Sequence, residues 1–407
     1  MLAARCGISY HDTMTQSEPI LSSQTALDDV MSRFATAEMV AIDTEFMREK
    51  TYYPDLCLIQ IAALGESYII DPIAYELDLT SFWDLLQNES VVKAFHAGRQ
   101  DIEIFYLKTG KVPSPLFDSQ IAAMVCGLGD QVGYDKLVQH FLKKHIDKSS
   151  RFTDWSKRPL SDKQIHYALD DVIYLEQIYP LLKEALHDGN KEEWITEEMA
   201  ILANASTYSA IPEEMYKKLK LRTPKPITLN RLKYLAAFRE QECQKRNLPR
   251  SRFLKDETLI DLAASAPKTK EALQKIRGLR INGSGWLSDQ LLKVIQTADK
   301  VDKDDWPTPA KQKQIDRAPT AVLEMFRVLL KSVSDETGAA PRLIATASDL
   351  ELLAQSDDPN QAVLQGWRYE LFGKQAQALK AGKIAMTLQD NKICFHALSD
   401  LSLTESN

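Results

Sequence analysis

The chain has 407 residues, 44% of them aliphatic or aromatic and 26% charged, a soluble globular composition too long for one ordinary core, so two or three domains are expected. No apolar stretch approaches the ~20 residues that span a bilayer, and "MLAARCGISYHDTMTQ" has an arginine with no apolar segment behind it, which argues against a secretory leader; Met14 is an alternative start. Net charge is −7, yet Tyr216 to Arg280 carries 18 Lys and Arg against 6 Asp and Glu, a local +12 that leaves −19 on the remainder. That segregation is the footprint of a phosphate-binding module attached to an acidic one, although a lysine surface placed for solubility gives the same count.

In chain order, "MVAIDTEFMRE" from Met39 predicts a buried strand carrying Asp43 and Glu45 two apart, hence on one face, with Val40, Ile42 and Phe46 on the other. Two buried neighbouring carboxylates call for something positive nearby. A strand that ends at Asp43 with both acids solvated fits the same letters. "DLCLIQIAALGESYIID" reads as two further strands joined at Gly65 and Glu66, and "VVKAF" from Val91 as another. After His96, Ala97 and Gly98 a helix begins with Asp101 near its first turn and closes at Gly110; Asp101 there suits a site, or simply the helix N-terminus. "SQIAAMVCGLG" predicts a helix closing at Gly127 and Gly129, and the run on to Gly133 fails the dinucleotide-loop spacing.

"LSDKQIHYALDDVIYLEQIYPLL" has Ser161 and Gln164 as a capping box and Ile165, Ala168, Leu169, Val172 and Ile173 as an apolar stripe. Tyr167 and Asp171, one turn apart, share the opposite face with Tyr174 and Ile178; Asp170 is rotated away. Beyond Trp194 the strands are expected to vanish, leaving helices broken at "IPEE", "RTPKPIT", "NLPR", "APKT", "INGSG" and "DDWPTPA", with boundaries near 205–225 and 300–315. Cys6, Cys57, Cys126, Cys243 and Cys394 are isolated and read as reduced thiols, and His140 and His145 as surface residues rather than zinc ligands.

D-x-E, then D after H-A-x-x-x, then Y-x-x-x-D on a capped helix resembles the 3′-5′ exonucleases with four acids and a tyrosine. "VAIDTEFMRE", "LCLIQIA", "FHAGRQDIE", "FDSQIAA" and "TDWSKRPLSDKQIHYALDDVIYL" resemble successive segments of the ribonuclease D family. "LKYLAAFREQECQKRNLPRSRFLKDETLIDLA" resembles its first helicase and RNase D C-terminal (HRDC) domain, and "APRLIATASDLELLAQSD" with "GWRYELFGKQAQALKAGKIAM" its second. The resemblance implies an α/β exonuclease domain, RNase H-like with a mixed sheet flanked by helices, followed by two all-α HRDC-like domains. The expected limits are a flexible extension over 1–20, the exonuclease domain over 21–205, and HRDC domains over 222–302 and 312–395.

It further implies that Asp43, Glu45, Asp101 and Asp171 hold two divalent metal ions, Mg²⁺ or Mn²⁺, around the scissile phosphate, with Asp43 bridging both and Tyr167 positioning the attacking water. Thr44, Phe46 and His96 are candidate contacts to the terminal sugar and base, Phe46 being equally suited to core packing. The expected activity is a cytoplasmic, monomeric 3′-5′ exoribonuclease releasing 5′-mononucleotides from RNA with a single-stranded 3′ end, tRNA precursors above all, with no membrane partner. A DNA exonuclease and an inactive nucleic-acid-binding scaffold are the alternatives.

Overall fold

The computed structural model describes residues 19–221, 225–279, 285–308 and 319–398. Most of the expected extension over 1–20, nearly all of "INGSG", parts of "RTPKPIT" and of the linker after "DDWPT", and the start of the region 312–395 lie outside the described residues.

The first part alternates strands and helices: β1 (Ile20–Leu21), α1 (Gln24–Phe34), β2 (Met39–Met47), β3 (Asp55–Ala63), β4 (Glu66–Ile70), α2 (Thr80–Leu86), β5 (Val92–Phe95), α3 (Arg99–Thr109), β6 (Leu116–Asp118), α4 (Ser119–Val125), α5 (Tyr134–Leu142), α6 (Asp162–Asp188) and α7 (Glu192–Leu202). The sheet order is β1-β4-β3-β2-β5-β6, with β2-β3 and β3-β4 antiparallel and the other pairs parallel. It is a mixed sheet, as expected. The β3-β4 turn falls at Leu64 and Gly65, both at positive φ, and Glu66 is already in the strand.

Two features of β2 place the site. It pairs with β5 only as far as Ala41, so its acidic end runs beyond its parallel neighbour, and α3 starts in the space this leaves. Its register with β3 sets Asp43 across from Gln60 and Glu45 across from Leu58, then slips by one residue, leaving Cys57 unpaired as a bulge. Partners across a strand pair share a face, and Leu58 belongs to the small core beneath α6, together with Ile69, Trp155 and Ala168. Asp43 and Glu45 therefore stand on the side of the sheet that α6 crosses.

The remainder is α8 (Pro226–Arg246), α9 (Arg250–Phe253), α10 (Asp256–Ser265), α11 (Lys270–Leu273) and α12 (Gly285–Asp299), then α13 (Thr320–Thr337), α14 (Pro341–Ile344), α15 (Ala347–Gln355), α16 (Gly366–Arg368) and α17 (Lys374–Lys380). Each group encloses its own apolar core. Chain membership passes from the first core at Tyr208 to the α8–α12 core at Tyr216. The expectation that strands vanish beyond Trp194 fails at the C-terminal end. There β7 (Ile384–Gln389) and β8 (Lys392–Ala397) form an antiparallel hairpin turned at Asp390 and Asn391, at φ +48° and +61°. Both turn residues are left-handed, as a two-residue hairpin requires. Neither strand has a fully buried face, so the alternation of apolar and polar residues is blurred.

Both helical groups dock on the first domain. The β2-β3 loop meets α8 through Tyr52, whose hydroxyl bonds Glu240, and through Asn247 Oδ1, which accepts from the amides of Tyr52 and Tyr53 at 3.0 Å. On another side Trp194 stacks on Trp367 at 5.0 Å, Glu198 takes Trp367 Nε1 at 3.0 Å and Arg368 at 2.7 Å, and Ala340 N–H donates to the Met124 carbonyl. Gly127 passes so near Gly338 that a Cβ would lie 2.0 Å from its carbonyl oxygen.

Candidate active site

Asp43, Glu45 and Asp171 each bring a carboxylate oxygen within 4.8 Å of the other two. Strand alternation brings the first pair together and α6 supplies the third. The capping box of Ser161 and Gln164 forms as expected and fixes where α6 begins. Tyr167 and Asp171 then fall on one face, and the Tyr167 hydroxyl bonds the Asp171 carboxylate. The side chains of Tyr167, Asp171 and Asp43 line a cleft of about 300 Å³, with His96, Tyr134 and Arg151.

Asp101, third residue of α3, is 7% exposed and joins the cluster from its flank. The Thr44 hydroxyl donates to its carboxylate, and the charge of Asp43 acts on it. Thr44, expected at the sugar, is itself buried with its hydroxyl turned onto Asp101. Phe46 is half-buried, packs on the main core and borders an adjoining groove with Glu45. His96 lies in the cleft wall, with Nδ1 2.9 Å from Ser119 Oγ. His140 and His145 are exposed, and the four described cysteines are unpaired.

The electrostatics are those of acids crowded without an ion-paired cation among the described residues, Arg151 acting on Glu45 and Asp171 through its charge alone. Burial first, and the Asp171 charge second, push Asp43 well above the ordinary range. Glu45 goes up to about 10 by burial and then by Asp43, Asp171 and Asp101. Asp171 is raised to about 7, chiefly by burial, against the lowering effect of the Tyr167 hydrogen bond. Burial and the Asp171 charge raise Tyr167 too, so its hydroxyl keeps its proton and serves as a donor, not a base. The donor set is all hard oxygen, which fits Mg²⁺ or Mn²⁺ and not a soft metal.

Residues 19–187 match the 3′-5′ exonuclease family and residues 228–283 the HRDC domain. Ribonuclease D of Bartonella henselae is 42% identical over 376 residues, spanning 92% of this chain and 93% of that protein. The chain belongs to the ribonuclease D family. The same enzyme of Zymomonas mobilis is 43% identical over 381 residues, 93% of this chain and 98% of that one. The crystal structure of Escherichia coli RNase D, an exoribonuclease involved in structured RNA processing, matches with a TM-score of 0.80 at 26% identity, over 90% of this chain and 99% of that chain. As a member of that family the chain is an exoribonuclease, a phosphodiester hydrolase, which sets aside the inactive-scaffold reading.

Several residues that shape the cleft escape the sequence reading. Buried Asp118 accepts from the amides of Ala97 and Gly98 and also caps α4, so it holds the turn from which Asp101 projects. Gly98 is obligatory in that turn, since a Cβ would lie 2.4 Å from Phe95 Cβ. Tyr134 donates its hydroxyl to the Asp171 carbonyl at 2.6 Å and so fixes α6 where its acid enters the cleft. Gln60, opposite Asp43, is fully buried with its amide unpaired among the described residues. "FDSQIAA" and "LCLIQIA" carried Asp118 and Gln60 in plain view, but only the fold shows what they face.

The basic stretch is more structural than its count suggests. Arg239 is buried on the Leu254 carbonyl and Asp256, Arg250 holds Glu240, and Arg231 holds Asp299. Among the described residues no helix is long and apolar enough to cross a membrane.

Proposed function

We propose that this exoribonuclease removes 5′-mononucleotides one at a time from the 3′ end of RNA, with Asp43, Glu45, Asp101 and Asp171 holding two divalent cations, Mg²⁺ or Mn²⁺. The observation that carries the reading is the group of three carboxylates within 4.8 Å of one another, driven far up in pKa with no cation of the described residues paired to them. When bound, the cations supply the positive charge and Lewis acidity that phosphodiester hydrolysis requires.

The chain's own groups do the rest. Asp43, Glu45 and Asp171 serve as ligands and Asp101, steadied by Thr44, completes the set from the flank. Tyr167, protonated and anchored on Asp171, orients the attacking water by its hydroxyl. His96 is offered to the terminal nucleotide by its place in the cleft wall, and Phe46 by its place beside Glu45. The division into an exonuclease domain over 21–205 and helical domains over 222–302 and 312–395 is supported by the separate cores. The basic part of the first helical domain tracks the RNA backbone through lysines left outside ion pairs among the described residues, such as Lys218, Lys233 and Lys245. The role of Escherichia coli RNase D in structured RNA processing supports tRNA precursors and small stable RNAs as substrates; action as a monomer in the cytoplasm is part of the same proposal.

The test is a 5′-labelled RNA with a single-stranded 3′ tail, incubated with and without Mg²⁺ or Mn²⁺ beside Asp43→Ala and Asp171→Ala. A ladder shortening from the 3′ end, lost with chelator and in both variants, is expected. Activity retained in both variants would place the chemistry elsewhere.

A further inference from the structure

The connection between α5 and α6 carries two side chains that the catalytic account leaves idle. Phe152 is 90% exposed, the most open of the large apolar residues described. Single exposed apolar residues are ordinary; this one differs in its setting. It lies in the wall of a groove of about 560 Å³ that also takes in Glu45, Phe46 and Trp155. The Arg151 guanidinium lies 5.2 Å from its ring centroid, leaving the remainder of the ring to solvent.

Arg151 borders both this groove and the cleft that holds Asp43, Tyr167 and Asp171. Its charge acts on Glu45 and Asp171, yet among the described residues it forms no ion pair and no side-chain hydrogen bond. Of the other cations nearby, Lys148 is committed to Asp135 at 2.7 Å and Arg48 to Glu103 at 2.8 and 2.9 Å, while exposed Lys50 borders this groove alone and not the cleft of the acids. A cation with no ion pair or side-chain hydrogen bond among the described residues, at the junction of two cavities and beside an aromatic ring largely open to one of them, has the chemistry that receives a phosphate and the base next to it.

We propose that Phe152 and Arg151 form a nucleotide subsite of this enzyme, Phe152 stacking on a base within the last three nucleotides of the RNA and Arg151 contacting the adjoining phosphate. The subsite deepens the exonuclease reading and rests on it. It reads the presence of a base rather than its hydrogen-bonding edge, since every base offers a π-face and neither side chain discriminates edges. It belongs to the irregular connection, not to the acid cluster, so it affects how RNA is held before the acids act on it.

The experiment uses RNA with a single-stranded 3′ tail carrying 2-aminopurine at each of the last three positions in turn, bound to the full chain in an Asp43→Asn background that blocks turnover. Quenching is expected at one of these positions. Phe152→Ala should abolish it and weaken binding about 5- to 100-fold, Phe152→Trp should restore both, and an abasic nucleotide at that position should erase the difference in binding between the chain with Phe152 and its Phe152→Ala variant. Arg151→Ala should weaken binding and reduce its salt dependence, with Arg151→Lys in between. In the active background Phe152→Ala should raise KM far more than it lowers kcat. Unchanged quenching and KM in Phe152→Ala, or an equal loss on abasic RNA, would overturn the subsite. Failure of the wild-type chain to shorten RNA with Mn²⁺ would instead strike the exonuclease reading, while the quenching result still decides this one.

Discussion

Two buried acid sites in this molecule use the same side chain to opposite ends. Glu45 sits among Asp43, Asp171 and Asp101 and is pushed up to about 10, first by burial and then by its neighbours' charges. Glu240 is wholly buried where α8 meets the β2-β3 loop; burial pushes it up as well, but hydrogen bonds from Arg250, at 2.5 and 2.6 Å, and from Tyr52 outweigh that and hold it below the ordinary range. Burial is common to both, so it is the supply of a counter-charge that separates them. Glu240 brings its cation from the chain and joins two domains; the acid cluster has no ion-paired cation among the described residues, Arg151 acting on it only through its charge, and is built to take its counter-charge from solution.

The largest expected effect follows from removing one acid of the unpaired site. Asp43→Asn should lower exonuclease turnover about 10³-fold, the several kcal/mol of charge stabilisation that bound cations provide. In the metal-free protein the same change should stabilise the fold by about 1–3 kcal/mol, because a repelling, desolvated charge is gone. Melting temperatures with chelator and turnover with Mn²⁺ would then move in opposite directions. Loss of both would merge the two sites into one structural class.

Next in size, Tyr167→Phe should reduce kcat about 10²-fold while leaving the Mn²⁺ affinity close to wild type, since the tyrosine orients and the carboxylates bind. Rapid-quench turnover beside a metal titration separates the two quantities.

At the paired site, Glu240→Gln should destabilise the protein by about 1–3 kcal/mol, less than a fully buried pair because Arg250 is partly exposed. It should also speed proteolytic cutting between the first domain and α8. Unlike Asp43→Asn, it should lower the melting temperature with and without metal.

The smallest expected effect is in pH dependence, and the two sites should differ in sign. Asp171 is raised to about 7, so the folded metal-free chain binds more protons than the unfolded one, and stability should fall as pH rises from the ordinary carboxylate range toward 7. Glu240 is lowered, so its contribution is complete above the ordinary glutamate range and should be lost as pH falls through its folded value. Chelator melts from pH 2.5 to 8, repeated with Mn²⁺, would show the first slope removed by metal and the second, at the acid end, untouched.

The contrast also marks what the sequence could convey. Asp43 and Glu45 two apart on a strand, and Tyr167 and Asp171 one turn apart on a capped helix, are local relations that periodicity encodes, and the structure brings these four together. Their meeting with Asp101 depends on β2 outrunning β5, which is topology. Tyr52 and Glu240 are 188 residues apart, and neither has a local feature that names the other. Arg151 and Phe152 lie in an irregular connection, where no period tells a pocket-lining side chain from a solvated one. The C-terminal hairpin left one local mark, the turn pair Asp390-Asn391, but the alternation on either side of it is blurred because both strands are half-exposed.

The central claim, that the acid cluster awaits its charge from solution, is tested most directly by titrating Mn²⁺ into the metal-free protein calorimetrically at pH 7 in two buffers of different ionisation enthalpy. The account predicts saturable binding with proton release, because Glu45 and its neighbours must give up protons to serve as ligands, and loss of both in Asp43→Asn. Binding without proton release, or binding unchanged in Asp43→Asn, would contradict it.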